Sequence, residues 1–360
     1  MTLYAALDLH SNNNYLVVID ERDQLVFRRK QANELGPLLK VLEPFRPQLT
    51  GIVVESTYNW YWLVDGLMEA GWKVHLANTA GAEQYAGIKH SNDWSDAHWL
   101  AHLLRLGILP EGYIYPKAER AVRDLLRERQ RLVAERSRQV LSLEGIYARQ
   151  RGLQLSSRRI RELDSLQLEK CWGRQPLVRQ AVEARLAVLG ALQAQIGKLE
   201  QAVQQAVEPD PSYQRLQTVW GVGPVLGRSI LLETGPIGRF AQPGDYLSYC
   251  RMVESGKWSN SKKKGENNRK CGNRYLCWAF MEAAHFACRY YPPAQAFVDR
   301  KTMRRHRVLG LKALASKLCR ASYFVLRDQV EFDPKRLFGS AGGSRLESRQ
   351  IGVGAGSRQG

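Results

Sequence analysis

The amino-acid sequence predicts an α/β sheet domain at the amino end, then a long helical segment, then a mostly helical carboxy-terminal domain. Three observations carry this. Strand-like runs joined by short polar turns, and then alternating with helical stretches, fill the first hundred residues. Residues 117–207 contain almost no strand signal. Pro209 and Pro211 close that segment, and a further apolar-patterned stretch follows. The expected organisation is a sheet domain over 1–110, a helical segment over 111–210 and a globular helical domain over 211–338. The tail over 339–360, GSAGGSRLESRQIGVGAGSRQG, has too few large apolar groups to pack and is expected to be disordered.

Element by element, residues 3–9 (LYAALDL) read as a strand, Ser11-Asn12-Asn13-Asn14 as a turn and 15–20 (YLVVID) as a second strand. Glu21-Arg22-Asp23 turns the chain into a third strand over 24–29. A helix near 33–43, a strand over 51–55 (GIVVE), a helix over 59–70, a strand over 72–77 and a helix near 94–106 complete the block. Three hairpin strands followed by alternating helix and strand is the order of the ribonuclease-H-like fold. A helix is expected from 117 to 150, a break at Gly152 and Ser156-Ser157, and a second helix over 176–207. There, positions 182, 185, 189, 192, 196, 199, 203 and 206 follow strict three–four spacing and hold Val, Arg, Leu, Leu, Ile, Leu, Val and Ala. This is a coiled-coil seam, either within one chain or between protomers.

The 360 residues carry 53 Lys and Arg against 35 Asp and Glu, a net charge of +18. Apolar residues at 44% and charged residues at 24% exclude wholesale disorder. Six cysteines with no CxxC pair argue against a disulfide scaffold or a zinc site. No uncharged apolar run approaches a membrane span, and no basic stretch leads an apolar one at the start, so a cytoplasmic protein without membrane attachment is expected. The charge is segregated. Residues 1–110 hold nine basic and twelve acidic groups, and the remaining 250 residues hold 44 and 23. The basic part suits a polyanion and the acidic part suits cations.

Four carboxylates stand out in the acidic third. Asp8 lies inside an apolar strand, where a charge is costly unless paired or bound to metal. Glu55 ends the strand GIVVE. Asp93 and Asp96 share one helix face at the positive end of a helix, where either is also a candidate N-cap. If the first and fourth strands are neighbours, Asp8 meets Glu55 and the helix closes over both. Oxygen ligands of this kind suit Mg²⁺, with Mn²⁺ as the alternative, and a pair of such ions serves phosphoryl transfer.

Residues 255–275, SGKWSNSKKKGENNRKCGNRY, form a basic loop in which Lys262, Lys263, Lys264, Arg269, Lys270, Asn273 and Arg274 are candidate phosphate contacts. Ser255, Ser259 and Ser261 at its upstream end are hydroxyls beside cations. Upstream, QTVWGVGPVLGRS over 217–229 has a helix-hairpin-helix-like pattern, with Gly221 and Gly223 letting backbone amides approach a phosphate. Trp220 and Trp258 are candidates to stack on bases, whereas Trp278, in the apolar run LCWAFMEAAHFA, is expected in the core.

DLH around Asp8, VVES around Glu55 and NDWSDAHWLAHLL around Asp93 and Asp96 resemble the DEDD insertion-sequence transposases of the IS110 family. Ser91 stands where that family usually has lysine; Asp93, Asp96 and Ala97 match. GVGPVLGRSILLETGPIGRF, DYLSYCRM and WSNSKKKGENNRKCGNRYLCWAFMEAAHFA resemble the family's second domain. The resemblance implies a RuvC-like DEDD domain binding Mg²⁺ and a carboxy-terminal transposase domain whose serine becomes covalently joined to DNA. It places that serine at Ser259, with Asn260 where glycine often follows and Ser261 as the nearest rival. It also implies double-stranded donor and target DNA and a structured noncoding bridge RNA as partners. Strand exchange between two sites implies a homodimer or tetramer, active on nucleoid DNA. The expectation is an RNA-guided recombinase that excises and inserts its own element. The alternatives are a Holliday-junction-type metal nuclease without serine chemistry, and an inactive nucleic-acid-binding protein.

Overall fold

Residues 1–82, 92–163, 165–253, 256–266, 271–303 and 306–338 are described from a computed structural model. The chain divides into two compact units: Met1–Lys117 together with Ser255–Cys271, and Ala118–Glu254 together with the chain from Gly272.

The first unit is built on a five-stranded sheet. Its strands are β1 (Leu3–Leu9), β2 (Asn13–Asp20), β3 (Leu25–Ala32), β4 (Leu49–Glu55) and β5 (Val74–Ala77). Their order is β3-β2-β1-β4-β5; β1, β2 and β3 are antiparallel, and β4 and β5 run parallel to β1. The mixed α/β sheet expected from the turn spacing is therefore present. Side chains alternate between faces along each strand. Leu3, Leu7, Leu16, Val18, Ile52 and Val54 pack under α1 (Leu35–Leu42) and α2 (Tyr61–Glu69). Ala6, Tyr15, Val17, Ile19 and Val53 pack on the other face, under Ala97, Leu100 and Ala101 of a helix at Asp93–Arg105. Alanines at 97 and 101 let that helix lie close on the sheet. A short α3 (Thr79–Ala82) precedes it, and it is labelled α4.

The segment read as a basic loop instead forms an antiparallel hairpin, β6 (Gly256–Ser259) and β7 (Lys262–Glu266). Asn260 and Ser261 both have positive φ, 49° and 58°, as a two-residue type I′ turn requires. Lysine-rich strands have no alternating apolar pattern, so composition concealed them.

The second unit is helical, as expected. Two long helices, α5 (Lys117–Arg151) and α8 (Pro176–Val207), flank the short α6 (Ser157–Arg161) and α7 (Ser165–Trp172). The long pair packs antiparallel within the chain. Leu126 meets Val203 and Val207 near one end, and Val140 and Leu143 share a cluster with Val182 and Leu189 near the other. Arg129 pairs with Glu200, and Arg185 donates to Gln139 at 3.0 Å. Of the two positions in the expected seam, Val182, Leu189, Ile196 and Val203 are buried. Arg185, Leu192 and Leu199 are half-buried and Ala206 is exposed.

The remaining helices are α9 (Pro211–Leu216), α10 (Pro224–Thr234), α11 (Pro243–Tyr249), α12 (Arg274–Tyr290), α13 (Pro292–Thr302), α14 (Arg307–Asp328) and α15 (Pro334–Phe338). α12 and α14 form the centre of their core. Trp220 is buried between the rings of Tyr291 and Phe338. Trp278 is 39% exposed rather than in the core, because α12 buries the stripe Leu276, Ala279, Phe280, Ala283, Ala284, Ala287 and position 278 lies off it. Gly221, at φ +82°, is forced by packing: a Cβ there would stand 2.0 Å from the Ala283 carbonyl oxygen. Among the described residues no helix is long and apolar enough to cross a membrane.

One polar network runs through this unit. Glu233, 1% exposed, takes a bidentate pair from Arg127 at 2.6 and 2.7 Å and a hydrogen bond from Asn273 Nδ2 at 2.7 Å. Burial opposes the Arg127 charge, but the Glu233 carboxylate outweighs it and raises the guanidinium further. Removing one partner strands the other charge in the interior. Glu233→Ala is therefore expected to cost about 3–5 kcal/mol of stability, read as a lowered urea midpoint. Gln at 233 keeps an acceptor for Asn273 and should cost less.

Candidate active site

Parallel pairing of β1 with β4 sets the site. Leu7 pairs with Val54, so Asp8 and Glu55 follow side by side at the carboxy ends of neighbouring parallel strands. Ligands in open α/β sheets collect at such ends. Both side chains belong to the face covered by α4, because their neighbours Ala6 and Val53 do. The amino terminus of α4 supplies Asp93 and Asp96. Neither acts as its cap. Asn92 accepts from Trp94 N and Ser95 N at 3.1 and 3.0 Å, and Ser95 Oγ accepts from Asn92 N at 2.7 Å, a complete capping box. With the cap filled, both aspartates are free for the site. Ser91 lies outside the described residues.

A fifth residue joins them. His10 Nε2 lies 3.1 Å from Asp8 Oδ2 and 3.4 Å from Asp93 Oδ1, and ligand atoms of Asp8, His10 and Asp93 all lie within 4.8 Å of one another. The His10 carbonyl accepts from Asn33 Nδ2 at 2.9 Å and Asn59 Nδ2 at 3.0 Å, which fixes the backbone at the strand end. Sequence reasoning passed over His10. The signal was present in the tripeptide DLH, where His10 stands two residues after Asp8 and so on its side of the chain.

The electrostatics ties in the other two acids. Asp8 is 5% exposed and Glu55 half-buried. Burial, then a hydrogen bond with Asp8, then the charges of Asp8 and Asp96 push the Glu55 carboxyl up to about 8. Asp96 is raised as well, by burial and by the charges of Asp8 and Asp93, against the opposing effect of His10. So Glu55 and Asp96 sense the charges of the acids around them, and without a cation Glu55 keeps its proton at neutral pH. Carboxylates from three elements, graded from the buried Asp8 to the exposed Asp96, with one exposed imidazole are a donor set that fits a hard divalent ion.

The second group of candidates sits on the hairpin. Ser259 is the last residue of β6, exposed, and pairs across the turn with Lys262. Ser261 lies inside the turn. Asn260, where the family often has glycine, adopts the left-handed backbone that asparagine tolerates better than other side chains. Lys262 and Lys264 are exposed. Ser255, Arg269 and Lys270 lie outside the described residues, and Lys263 is described by its backbone only. The hairpin falls in the compact unit that carries the acids.

Asn273 is committed elsewhere. It caps α12, accepting from Tyr275 N and Leu276 N, while its amide donates to Glu233 and Tyr249. Arg274 is exposed and lies over the Tyr275 ring. Gly223 is the exposed N-cap of α10, while Gly221 faces the α12 backbone.

Two family matches bear on this arrangement. Residues 5–147 match the DEDD-type IS110 transposase domain, and residues 213–299 match the family described as transposase IS116/IS110/IS902. The chain belongs to the IS110 family of transposases. A Pseudomonas aeruginosa (strain PAO1) protein described as a probable family 20 transposase is 26% identical over 281 residues, 75% of this chain and 80% of its own. Membership in a transposase family implies a DNA-recombining enzyme acting on DNA, and the DEDD type implies dependence on a divalent metal. Asp8, His10 and Asp93 are the candidate metal cluster of this transposase.

A pH dependence follows. The Glu55 carboxyl holds its proton in the folded chain well above the ordinary 4.5, so its contribution to stability is present at low pH and lost as pH rises through about 8. In chelator, the thermal midpoint of the transposase should fall across that window, and Glu55→Gln should flatten the fall. Added Mg²⁺ should raise the midpoint most at the alkaline end. An identical pH profile in the two proteins would contradict the cause assigned here.

Proposed function

We propose that this transposase breaks and rejoins DNA through Ser259, with Asp8, Glu55, Asp93 and Asp96 holding Mg²⁺, or Mn²⁺ in its place. The observation that carries the reading is the gathering of four carboxylates at the ends of β1, β4 and α4. The strand order, with three antiparallel strands continued by two parallel ones, supports a ribonuclease-H-like, RuvC-type domain. A divalent ion held there supplies positive charge to phosphate oxygens.

The protein's own groups do the rest. Ser259 Oγ attacks a phosphodiester: its bond to phosphorus forms while a bond from phosphorus to a strand oxygen breaks. That oxygen leaves as a hydroxyl, taking up a proton as the serine loses its own. Attack by another strand's hydroxyl on the serine phosphodiester reseals DNA and returns the serine. Lys262, the cross-strand partner of Ser259, stands where its ammonium favours the alkoxide and the phosphorane charge. Lys263, Lys264, Arg269, Lys270 and Arg274 extend the grip on the strand. Gly223, exposed at the start of α10, offers backbone amides to a phosphate.

Target choice falls to base pairing by a bridge RNA, as in other RNA-guided systems, which accounts for a basic surface without a base-reading module. Two DNA sites in one assembly call for a dimer or tetramer. The half-buried stripe of α8, through Leu192 and Leu199, is the coiled-coil seam proposed to serve that contact.

With DNA bearing the element's ends, the wild type should yield a protein–DNA adduct stable to denaturant. Ser259→Ala should abolish it and Ser261→Ala should keep it. Asp8→Asn should lower strand cleavage roughly 100-fold or more. Cleavage by Ser259→Ala at the wild-type rate would favour a water-using junction nuclease instead.

A further inference from the structure

The acid site raises an electrostatic difficulty that the serine hairpin does not address. A polyanionic strand must approach four carboxylates, in a segment whose first 110 residues are net acidic. The edge strand β3 carries an answer. It is exposed along most of its length and holds Arg28, Arg29 and Lys30 in succession. Arg28 pairs in register with Val17 and Lys30 with Tyr15, and both partners lie on the α4 face, the face of the acid site.

The two cations are held in place rather than loose. The Arg28 guanidinium sits over the Trp94 ring at 5.4 Å, and Lys30 Nζ sits over the Tyr15 ring at 4.8 Å. Tyr15 and Trp94 pack edge to face at 4.8 Å, and Tyr15 packs edge to face on His10 at 5.6 Å. His10 in turn bridges Asp8 and Asp93. A continuous path thus runs from two exposed cations, through two rings, to the candidate metal ligands. Trp94 follows Asp93 directly, so the same helix turn supports the acid and the cation.

We propose that Arg28 and Lys30 form a binding track for the phosphodiester backbone of the DNA strand that enters the acid site. The proposal rests on the reading that the acids act on DNA. Cation–ring contacts limit the motion of both exposed side chains, which lowers the entropy lost when a phosphate binds. The spacing of two residues along a strand, roughly 7 Å, also matches successive phosphates of an extended strand. Charged side chains on an edge strand have a competing use, since they block edge-to-edge pairing between sheets. That use needs charge of either sign, whereas a phosphate track needs positive charge.

The test uses the full-length chain and a fluorescein-labelled DNA duplex with a single-stranded tail, followed by anisotropy across a salt series in Ca²⁺. Arg28→Gln with Lys30→Gln should weaken binding about tenfold at low salt and flatten the log–log salt slope by about 1 to 2. Arg28→Lys with Lys30→Arg should restore most of the affinity, and Arg28→Glu with Lys30→Glu should weaken it beyond the glutamine pair. Asp8→Asn should not flatten the slope. Unchanged affinity and slope in the glutamate pair, with melting temperature and monomer–oligomer balance also unchanged or with only the latter moved, would overturn the track. Failure of the underlying reading looks different: Asp8→Asn would then cleave DNA in Mg²⁺ as wild type does, whatever the β3 variants do.

Discussion

Four carboxylates held within reach of one another are a liability to any folded chain, and this repulsion organises the first unit. The pairing of β1 with β4 sets Asp8 beside Glu55, and α4 adds Asp93 and Asp96 from above. Burial of Glu55 beside the buried Asp8 then weakens the screening of water there, so Glu55 keeps its proton up to about 8. The features around the site follow from tolerating that crowding. Alanines at 97 and 101 bring α4 close, Asn92 takes over the capping duty, and His10 is anchored by two asparagine amides between Asp8 and Asp93. A chain selected for stability alone would place apolar groups there.

The second constraint is that of chain order against space. Residues 255–271 lie in sequence between α11 and α12, yet they belong with the sheet domain. The base of this excursion is held on the helical side. Arg251 grips the Gly272 carbonyl at 2.8 and 3.1 Å, and Asn273 caps α12 while bonded to Glu233. Gly272 has φ +84°, and a side chain there would stand 2.6 Å from the Tyr249 carbonyl oxygen. The turn into α12 is therefore fixed within the helical unit by backbone contacts that no side chain at position 272 would permit.

Much of this was legible in the sequence. The inner strands β1, β2 and β4 read as continuous apolar runs because helices cover both sheet faces, and the helices after them show the repeat of about 3.6 residues that one buried face requires. Asp8 was legible for the opposite reason, because it interrupts an apolar strand where an acid is costly, and Glu55, Asp93 and Asp96 were legible from their places at a strand end and on one face of a helix start. What stayed hidden lacks periodicity. The lysine-rich hairpin carries no apolar alternation in its sequence. Asn273 and Gly221 look like a phosphate donor and a phosphate-loop glycine in one dimension, but in three they cap and pack α12. His10, Arg28 and Lys30 acquire meaning only when the sheet sets β3 beside β2 and α4 over both.

The central claim is that the four acids form one cation site. Counting bound Mn²⁺ by electron paramagnetic resonance, on wild type and on Asp8→Asn at neutral pH, tests it most directly. At least one tightly held ion per chain is expected in the wild type, with loss of that ion in the variant while the fold is retained. Equal Mn²⁺ binding by the two proteins, or none by either, would contradict the claim.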